Sequence, residues 1–190
     1  VLKDSSGYAS ALGIGAPLLQ QTHCRLGVHQ PPARGEIRAD GGRDKARAII
    51  DEALVKTGWV VQDLKVADIR AGRGVALRNV PLASGHGFAD YLLYVDGKAA
   101  GVIEAKKEGA TLRGVEVQSA KYSKGLPEDL PACTRPLPFL YESTGVETRF
   151  TNGLDPEPRS RQVFAFHMPN TLAEWITEAI FHVDPFQQEA

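Results

Sequence analysis

The sequence predicts an α/β domain in which a mixed sheet of four or more strands is flanked by helices. Its 190 residues are 43% hydrophobic and 24% charged, which excludes a disordered tail, a collagen-like repeat and a coiled coil. At about 100 to 200 residues per domain, this length suits one compact domain. Segments with helical periodicity alternate along the chain with short apolar runs, in the order helix, strands, helix, strands, helix.

Three helices are predicted, the first of them from apolar residues spaced three and four apart. The first runs from about Asp44 to Thr57, where Gly58 supplies a left-handed stop. The second runs from about Leu112 to Lys124, and Pro127 prevents it from going much further. The third begins at Thr171-Leu-Ala-Glu174, which has the pattern of a capping box.

The strands are predicted from apolar runs bounded by turn residues. A hairpin extends from Phe88 to Lys107 around Asp96-Gly97, a dipeptide typical of tight hairpin turns. The remaining strand segments are residues 59–61, 75–80, 139–142, 148–151 and 162–167. Residues 1–40 show neither helical nor strand periodicity. We therefore expect a lead-in at 1–40, the folded domain at 41–178 and a linker at 179–190.

Charge and cysteine content exclude several classes of protein. The net charge of -1 provides no overall cationic field to attract nucleic acid or an anionic membrane. Cys24 and Cys133 form no C-x-x-C pair, which excludes a disulfide framework and a cysteine zinc site and suits a reducing cytoplasm. The early apolar stretch is far shorter than the roughly 20 residues that span a bilayer. We therefore expect a cytoplasmic protein with no membrane partner.

Three charged side chains interrupt the most apolar part of the sequence. Asp90 lies in the first hairpin strand, and Glu104 and Lys106 lie in the second. Such groups are costly inside a sheet unless they are paired or bind a metal. A two-residue turn would put Asp90 and Glu104 on opposite faces, whereas a three-residue loop or an equivalent bulge puts them on one face. We predict the three-residue loop or such a bulge.

In the three-residue register, the two carboxylates are diagonal neighbours at about 7 Å between backbones, which a cation can bridge. Carboxylates suit Mg²⁺, and the carbonyl of Ala105 could be a third protein ligand. Lys106 would stabilise negative charge developing on a phosphoryl oxygen. An ion-pair cluster of Asp90, Glu104 and Lys106 at a strand edge fits the same spacing about equally well.

These residues resemble a known motif. Asp90 followed by Glu104-Ala105-Lys106 resembles the PD-(D/E)XK nuclease motif, with Ala89 in place of the proline of its name. The run from Gly87 to Lys107 is similar to the N-terminal nuclease domain of the restriction (R) subunits of type I restriction enzymes. Gln118-Ser-Ala-Lys-Tyr122 fits the Gln-x-x-x-Tyr motif of those subunits. The resemblance covers about residues 44–175.

The resemblance implies a PD-(D/E)XK nuclease core that hydrolyses DNA phosphodiester bonds with Mg²⁺, the activity of a type I site-specific deoxyribonuclease. In that family, the residues matching Asp90 and Glu104 bind metal and the residue matching Lys106 assists the attacking water. Glu52 on the first helix matches an accessory acid near the metal site, although a solvated helix face is the commoner role of such a residue.

The resemblance also implies partners. Gln118 and Tyr122 would position double-stranded DNA, and the assembled enzyme carries specificity and methyltransferase subunits. The segment 179–190 would lead to an ATP-driven motor, so ATP is implied only for the full-length subunit, and this chain has no P-loop motif. Two alternatives remain open: a non-catalytic module that docks on DNA or a subunit, and a stand-alone repair nuclease.

Overall fold

The computed structural model describes residues 41–112 and 116–181, without the side chains of 116–118 and 181. Within these ranges, three helices and seven strands follow one another. Their bounds are α1 Gly41–Lys56, β1 Val60–Asp63, β2 Gly74–Pro81, β3 Phe88–Val95, β4 Lys98–Ala105, α2 Glu116–Lys124, β5 Phe139–Ser143, β6 Thr148–Asn152, β7 Arg161–Val163 and α3 Pro169–Phe181. A short 3-10 turn, Leu64–Val66, follows β1.

The seven strands form one sheet whose spatial order is their order in the chain. The pairs β1–β2 and β4–β5 are parallel, and the other four pairs are antiparallel. The α/β class and the mixed sheet of four or more strands are therefore confirmed. Because β3, β4 and β5 are central, the strands that carry Asp90 and Glu104 have a neighbour on each side.

Two hydrophobic clusters hold the helices against the sheet. One contains Ile50 and Leu54 of α1 with Tyr91 and Ile103 of the hairpin. The other contains the alternate hairpin residues, among them Leu92 and Val102, with Tyr122 of α2 packed against it. Successive strand residues point to opposite faces, so one hairpin serves both clusters. Burying each large apolar side chain stabilises the folded state by about 1.5–3 kcal/mol. This packing fixes the position of both helices relative to β3 and β4.

Several predicted boundaries differ from the structure. The third helix begins at Pro169, so Thr171 lies inside its first turn and the predicted capping box is wrong. Proline suits this first turn because its fixed φ is helical and it lacks an N–H that would otherwise be unpaired. Leu112 lies outside α2, and β7 ends at Val163, four residues before the predicted end of that strand.

The expectations for the two ends of the chain fall largely outside the described residues. The lead-in at 1–40 lies outside them entirely, and of the segment 179–190 only residues 179–181 are described, as the end of α3. The domain bounds therefore stay predictions. Within the described ranges, no helix combines the length and apolar character that crossing a membrane requires.

Candidate active site

The hairpin closes through a two-residue turn. Val95 pairs with Lys98, and Asp96 and Gly97 both have positive φ, 49° and 76°. Positive φ at both central residues is the requirement of a type I′ turn, which Asp-Gly satisfies at low steric cost. The predicted three-residue loop is therefore wrong.

A β-bulge in β4 restores the geometry that the longer loop was expected to give. Tyr94 pairs with Ala99 but Leu93 pairs with Gly101, so Ala100 is an extra residue in β4. Beyond the bulge, Tyr91 pairs with Ile103, and continuing this register by one residue puts Asp90 directly opposite Glu104. The expectation that a bulge brings both carboxylates to one face is confirmed, but they are direct and not diagonal neighbours.

Asp90 is buried and surrounded by donors. The backbone N–H of Ala105 donates to Oδ2 at 2.8 Å, which ties the end of β4 to this carboxylate. Nη2 of Arg43 donates to the same oxygen at 2.6 Å, and Nη2 of Arg47 donates to Oδ1. Two guanidinium groups from α1 therefore compensate one buried carboxylate, as a charge removed from water requires.

Glu104 is fully buried, and the described residues bind only one of its oxygens. Oε1 accepts from Nζ of Lys106 at 2.8 Å and from Nη2 of Arg43 at 3.3 Å. Oε2 has no hydrogen-bond partner among the described residues. Burial raises the pKa of Glu104, and the nearby charge of Asp90 adds to this against the opposing effects of Lys106 and Arg43.

The carboxylate pair suits a divalent cation. A buried carboxylate oxygen without a donor is well suited to coordinate a metal, because it lacks any other compensation for the lost water. No group of three or more His, Cys, Asp or Glu side chains forms a metal cluster in the part of the chain that is described. Two carboxylates nevertheless agree with Mg²⁺, which commonly keeps several water ligands. Lys106, half-buried at the end of β4, connects this pair to solvent.

Tyr122 of α2 packs against the hydrophobic cluster that contains Leu92 and Val102, on the face of the hairpin that also carries Asp90 and Glu104. Burial alone would lower the pKa of Arg43, but its hydrogen bond to Asp90 and the charges of Asp90 and Glu104 raise it. α2 therefore places one of the two predicted DNA-positioning residues on the same face of the sheet. Gln118, the other, lies in α2, but its side chain is outside the described residues.

The predicted accessory acid lies elsewhere on α1. Glu52 is exposed, and no described hydrogen bond or ion pair joins it to Asp90 or Glu104. The neighbouring Asp51 faces the sheet instead, where it accepts from the hydroxyl of Tyr91 at 2.8 Å and binds Arg78 at 2.8 Å. The role of Glu52 stays a prediction.

Sequence reasoning missed a third carboxylate in the same row. Glu142 of β5 pairs in register with Glu104 and is fully buried. The hydroxyl of Ser119, on α2, donates to its Oε1. Paired residues of neighbouring strands share a face, so Asp90, Glu104 and Glu142 form a row across three central strands. The available signal was a glutamate in an apolar strand, the same signal that singled out Glu104.

The two arginines of α1 were also missed. Arg43 and Arg47 are four residues apart, so they lie on one face of the helix. Their spacing is visible in the sequence, but nothing there indicates that this helical face meets the hairpin strand that carries Asp90.

Comparison with known proteins gives a match to a family model and a likeness to a solved structure. Residues 65–147 match the family model described as the type I restriction enzyme EcoKI endonuclease subunit, second domain. A comparison with curated protein sequences finds no match.

The structural likeness is to a chain described as a fragment of an HsdR subunit of a type I restriction enzyme from Vibrio vulnificus YJ016. The TM-score is 0.53 at 20% sequence identity, over 72% of this chain and 25% of that chain. The chain thus spans a quarter of the length of that structure. The resemblance to the nuclease domain of type I restriction-enzyme R subunits is therefore confirmed, by sequence over residues 65–147 and by fold over most of the chain.

Proposed function

We propose that this domain is a metal-dependent endonuclease that hydrolyses DNA phosphodiester bonds, as the cleavage module of a type I restriction-enzyme R subunit. The main supporting observation is the pairing of two buried carboxylates, Asp90 and Glu104, on central strands, with Oε2 of Glu104 lacking a donor. Lys106 beside them supplies the cation that phosphoryl transfer needs at developing negative charge.

Each residue of the proposed site has a distinct task. Asp90, Glu104 and the carbonyl of Ala105 would hold Mg²⁺, which polarises a phosphoryl oxygen and lowers the pKa of a bound water. The 2.8 Å bond to Glu104 anchors Nζ of Lys106 at the end of β4. From there, Lys106 orients the attacking water and stabilises charge on the phosphate.

DNA contact and target choice are divided between this domain and its partners. Gln118 and Tyr122 would position the duplex beside the carboxylates. The net charge of -1 implies weak DNA affinity for the isolated domain, because phosphate neutralisation supplies most non-specific binding. We therefore propose that specificity and methyltransferase subunits choose the DNA site, in a cytoplasmic complex, and that ATP is used only by a motor in the full-length subunit.

The metal site is tested by calorimetric titration of the chain with Mg²⁺ and Mn²⁺. The wild type is expected to bind, and the Asp90→Ala, Glu104→Ala double variant is expected not to bind. Asp129→Ala, Glu157→Ala is the matched control, since it removes one aspartate and one glutamate that are exposed. Equal binding by the wild type and the Asp90, Glu104 variant would refute the proposed metal site.

A non-catalytic docking module is the second candidate, and one observation favours it. Arg43 and Arg47 already compensate the charge of Asp90, as expected of an ion-pair cluster that serves the fold alone. This candidate requires no metal affinity, so the same titration separates it from the nuclease. A stand-alone repair nuclease would bind metal equally, and the sequence downstream in the gene separates it from an R subunit.

A further inference from the structure

The arginines of α1 occupy the carboxylates that the proposed function assigns to a metal ion. Nη2 of Arg43 lies 2.6 Å from Oδ2 of Asp90 and 3.3 Å from Oε1 of Glu104, so one nitrogen bridges both carboxylates. Arg47 binds the other oxygen of Asp90. A cation can reach Glu104 through its donor-free Oε2, but both oxygens of Asp90 already accept from arginine, and a cation bound by Asp90 at 2.0–2.1 Å needs one of them. Metal binding by Asp90 therefore competes with the ion pairs that Asp90 makes with Arg43 and Arg47.

Both guanidinium groups retain unused hydrogen-bonding capacity. Nε of Arg43 and Nε of Arg47 are buried and have no acceptor among the described residues. A guanidinium presents five N–H donors in a planar fork, and that fork matches the oxygens of a phosphate. The side chains are 38% and 27% exposed, so a ligand in solution can reach part of each. Donors without acceptors in a pair of cationic side chains suit an anionic ligand.

The charges at the site indicate the same class of ligand. Arg43, Arg47 and Lys106 carry three positive charges, which match the three carboxylates of the row Asp90, Glu104 and Glu142. Adding a divalent cation therefore creates an excess of positive charge, and displacing the arginines leaves their charges without partners. A phosphodiester supplies negative charge and acceptor oxygens at that point.

We propose, on the basis of the nuclease function above, that Arg43 and Arg47 are substrate-binding residues that exchange the carboxylates for the DNA phosphate when metal binds. Without metal, the pair compensates Asp90 and Glu104. With metal, the released guanidinium groups bind the phosphate to be cleaved, so metal and DNA bind cooperatively.

The test separates metal affinity from DNA affinity. The chain with Arg43→Gln and Arg47→Gln is titrated calorimetrically with Mn²⁺, and its binding to a fluorescein-labelled DNA duplex is followed by anisotropy with saturating Ca²⁺. We expect Mn²⁺ to bind about tenfold more tightly, because its competitors are gone, and the duplex to bind about tenfold more weakly. Lys45→Gln with Lys56→Gln removes two exposed charges from the same helix and controls for charge alone.

Conservative variants add a second criterion. Arg43→Lys with Arg47→Lys should restore the competition with Mn²⁺ but only part of the DNA affinity, because lysine lacks the planar fork. If the double glutamine variant does not fold, Arg43→Gln alone removes the bridging contact, leaves Arg47 on Asp90 and should change both affinities in the same directions.

The outcomes distinguish this inference from the proposed function. The inference is overturned if the Arg43→Gln, Arg47→Gln variant binds Mn²⁺ no more tightly than the wild type. It is also overturned if this variant has the same DNA affinity as the Lys45→Gln, Lys56→Gln control. In that case, Mn²⁺ binding that is lost on adding Asp90→Ala and Glu104→Ala would still support the metal site. If neither the wild type nor the glutamine variant binds Mn²⁺, both proposals are refuted.

Discussion

Neutralising the two carboxylates one at a time should change stability in opposite directions. In Glu104→Gln, the shape and the acceptor for Lys106 are kept, while a fully buried charge whose Oε2 has no donor is removed. An unsatisfied buried polar group costs about 1–3 kcal/mol, and more when charged. Glutamine leaves an uncharged group there, so we expect the free energy of unfolding to rise by about 1 kcal/mol.

Asp90→Asn should lower the free energy of unfolding. The carboxylate accepts from Arg43, from Arg47 and from the N–H of Ala105, and the new amide would direct N–H donors at one of them. Removing one partner of a fully buried ion pair costs about 3–5 kcal/mol. Because both arginines are partly exposed and screened by solvent, we expect about 2 kcal/mol.

Urea denaturation of metal-free protein, followed by circular dichroism, measures both changes. A constant slope of free energy against urea shows that the midpoint reports stability. Asp129→Asn, an exposed position, is the control and should stay within about 0.5 kcal/mol of the wild type. A loss of stability in Glu104→Gln as large as that in Asp90→Asn would refute the reasoning, since both carboxylates would then be equally well compensated.

Three further predictions concern the fold around the site. Gly101→Ala should lower the melting temperature strongly, because the new Cβ would lie 2.3 Å from the carbonyl oxygen of Phe139; unchanged melting would exclude this close approach. Tyr91→Phe should cost about 1 kcal/mol in urea denaturation, because its hydroxyl donates to Asp51. Burial lowers the pKa of His167, so the unfolded chain binds its proton more readily and stability should fall as the pH drops from about 7.5 to about 5.5. His167→Gln should reduce this slope in urea titrations at the two pH values.

The hairpin shows how far local sequence signals reach. Asp96-Gly97 between apolar runs identified the turn, and the need to put Asp90 and Glu104 on one face identified a change of register. The position of the bulge at Ala100 carries no comparable signal, because alanine neither requires nor excludes an extra residue. The sequence thus predicted the shared face but not the direct pairing.

The cationic half of the site depends on contacts between elements distant in the chain. Arg43 and Asp90 are 47 residues apart, and their contact follows from how α1 packs on the sheet. Periodicity predicted α1 and its buried face but did not indicate which strand meets its exposed residues. Glu142 differs, because the rule that identified Glu104, a charge in an apolar strand, applies to it equally.

The spatial order of the strands bears on how the site forms during folding. Every strand pairs with its predecessor in the chain, so contact order within the sheet is low for a mixed sheet. The β3–β4 hairpin closes over a two-residue loop and can unite Asp90 with Glu104 early, at little cost in loop entropy. Glu142 joins only when β5 pairs in parallel across a connection of 33 residues, from Lys106 to Pro138. We therefore expect the like charges of the hairpin to meet before the third carboxylate arrives, with counter-ions provided by α1, which precedes the hairpin in the chain.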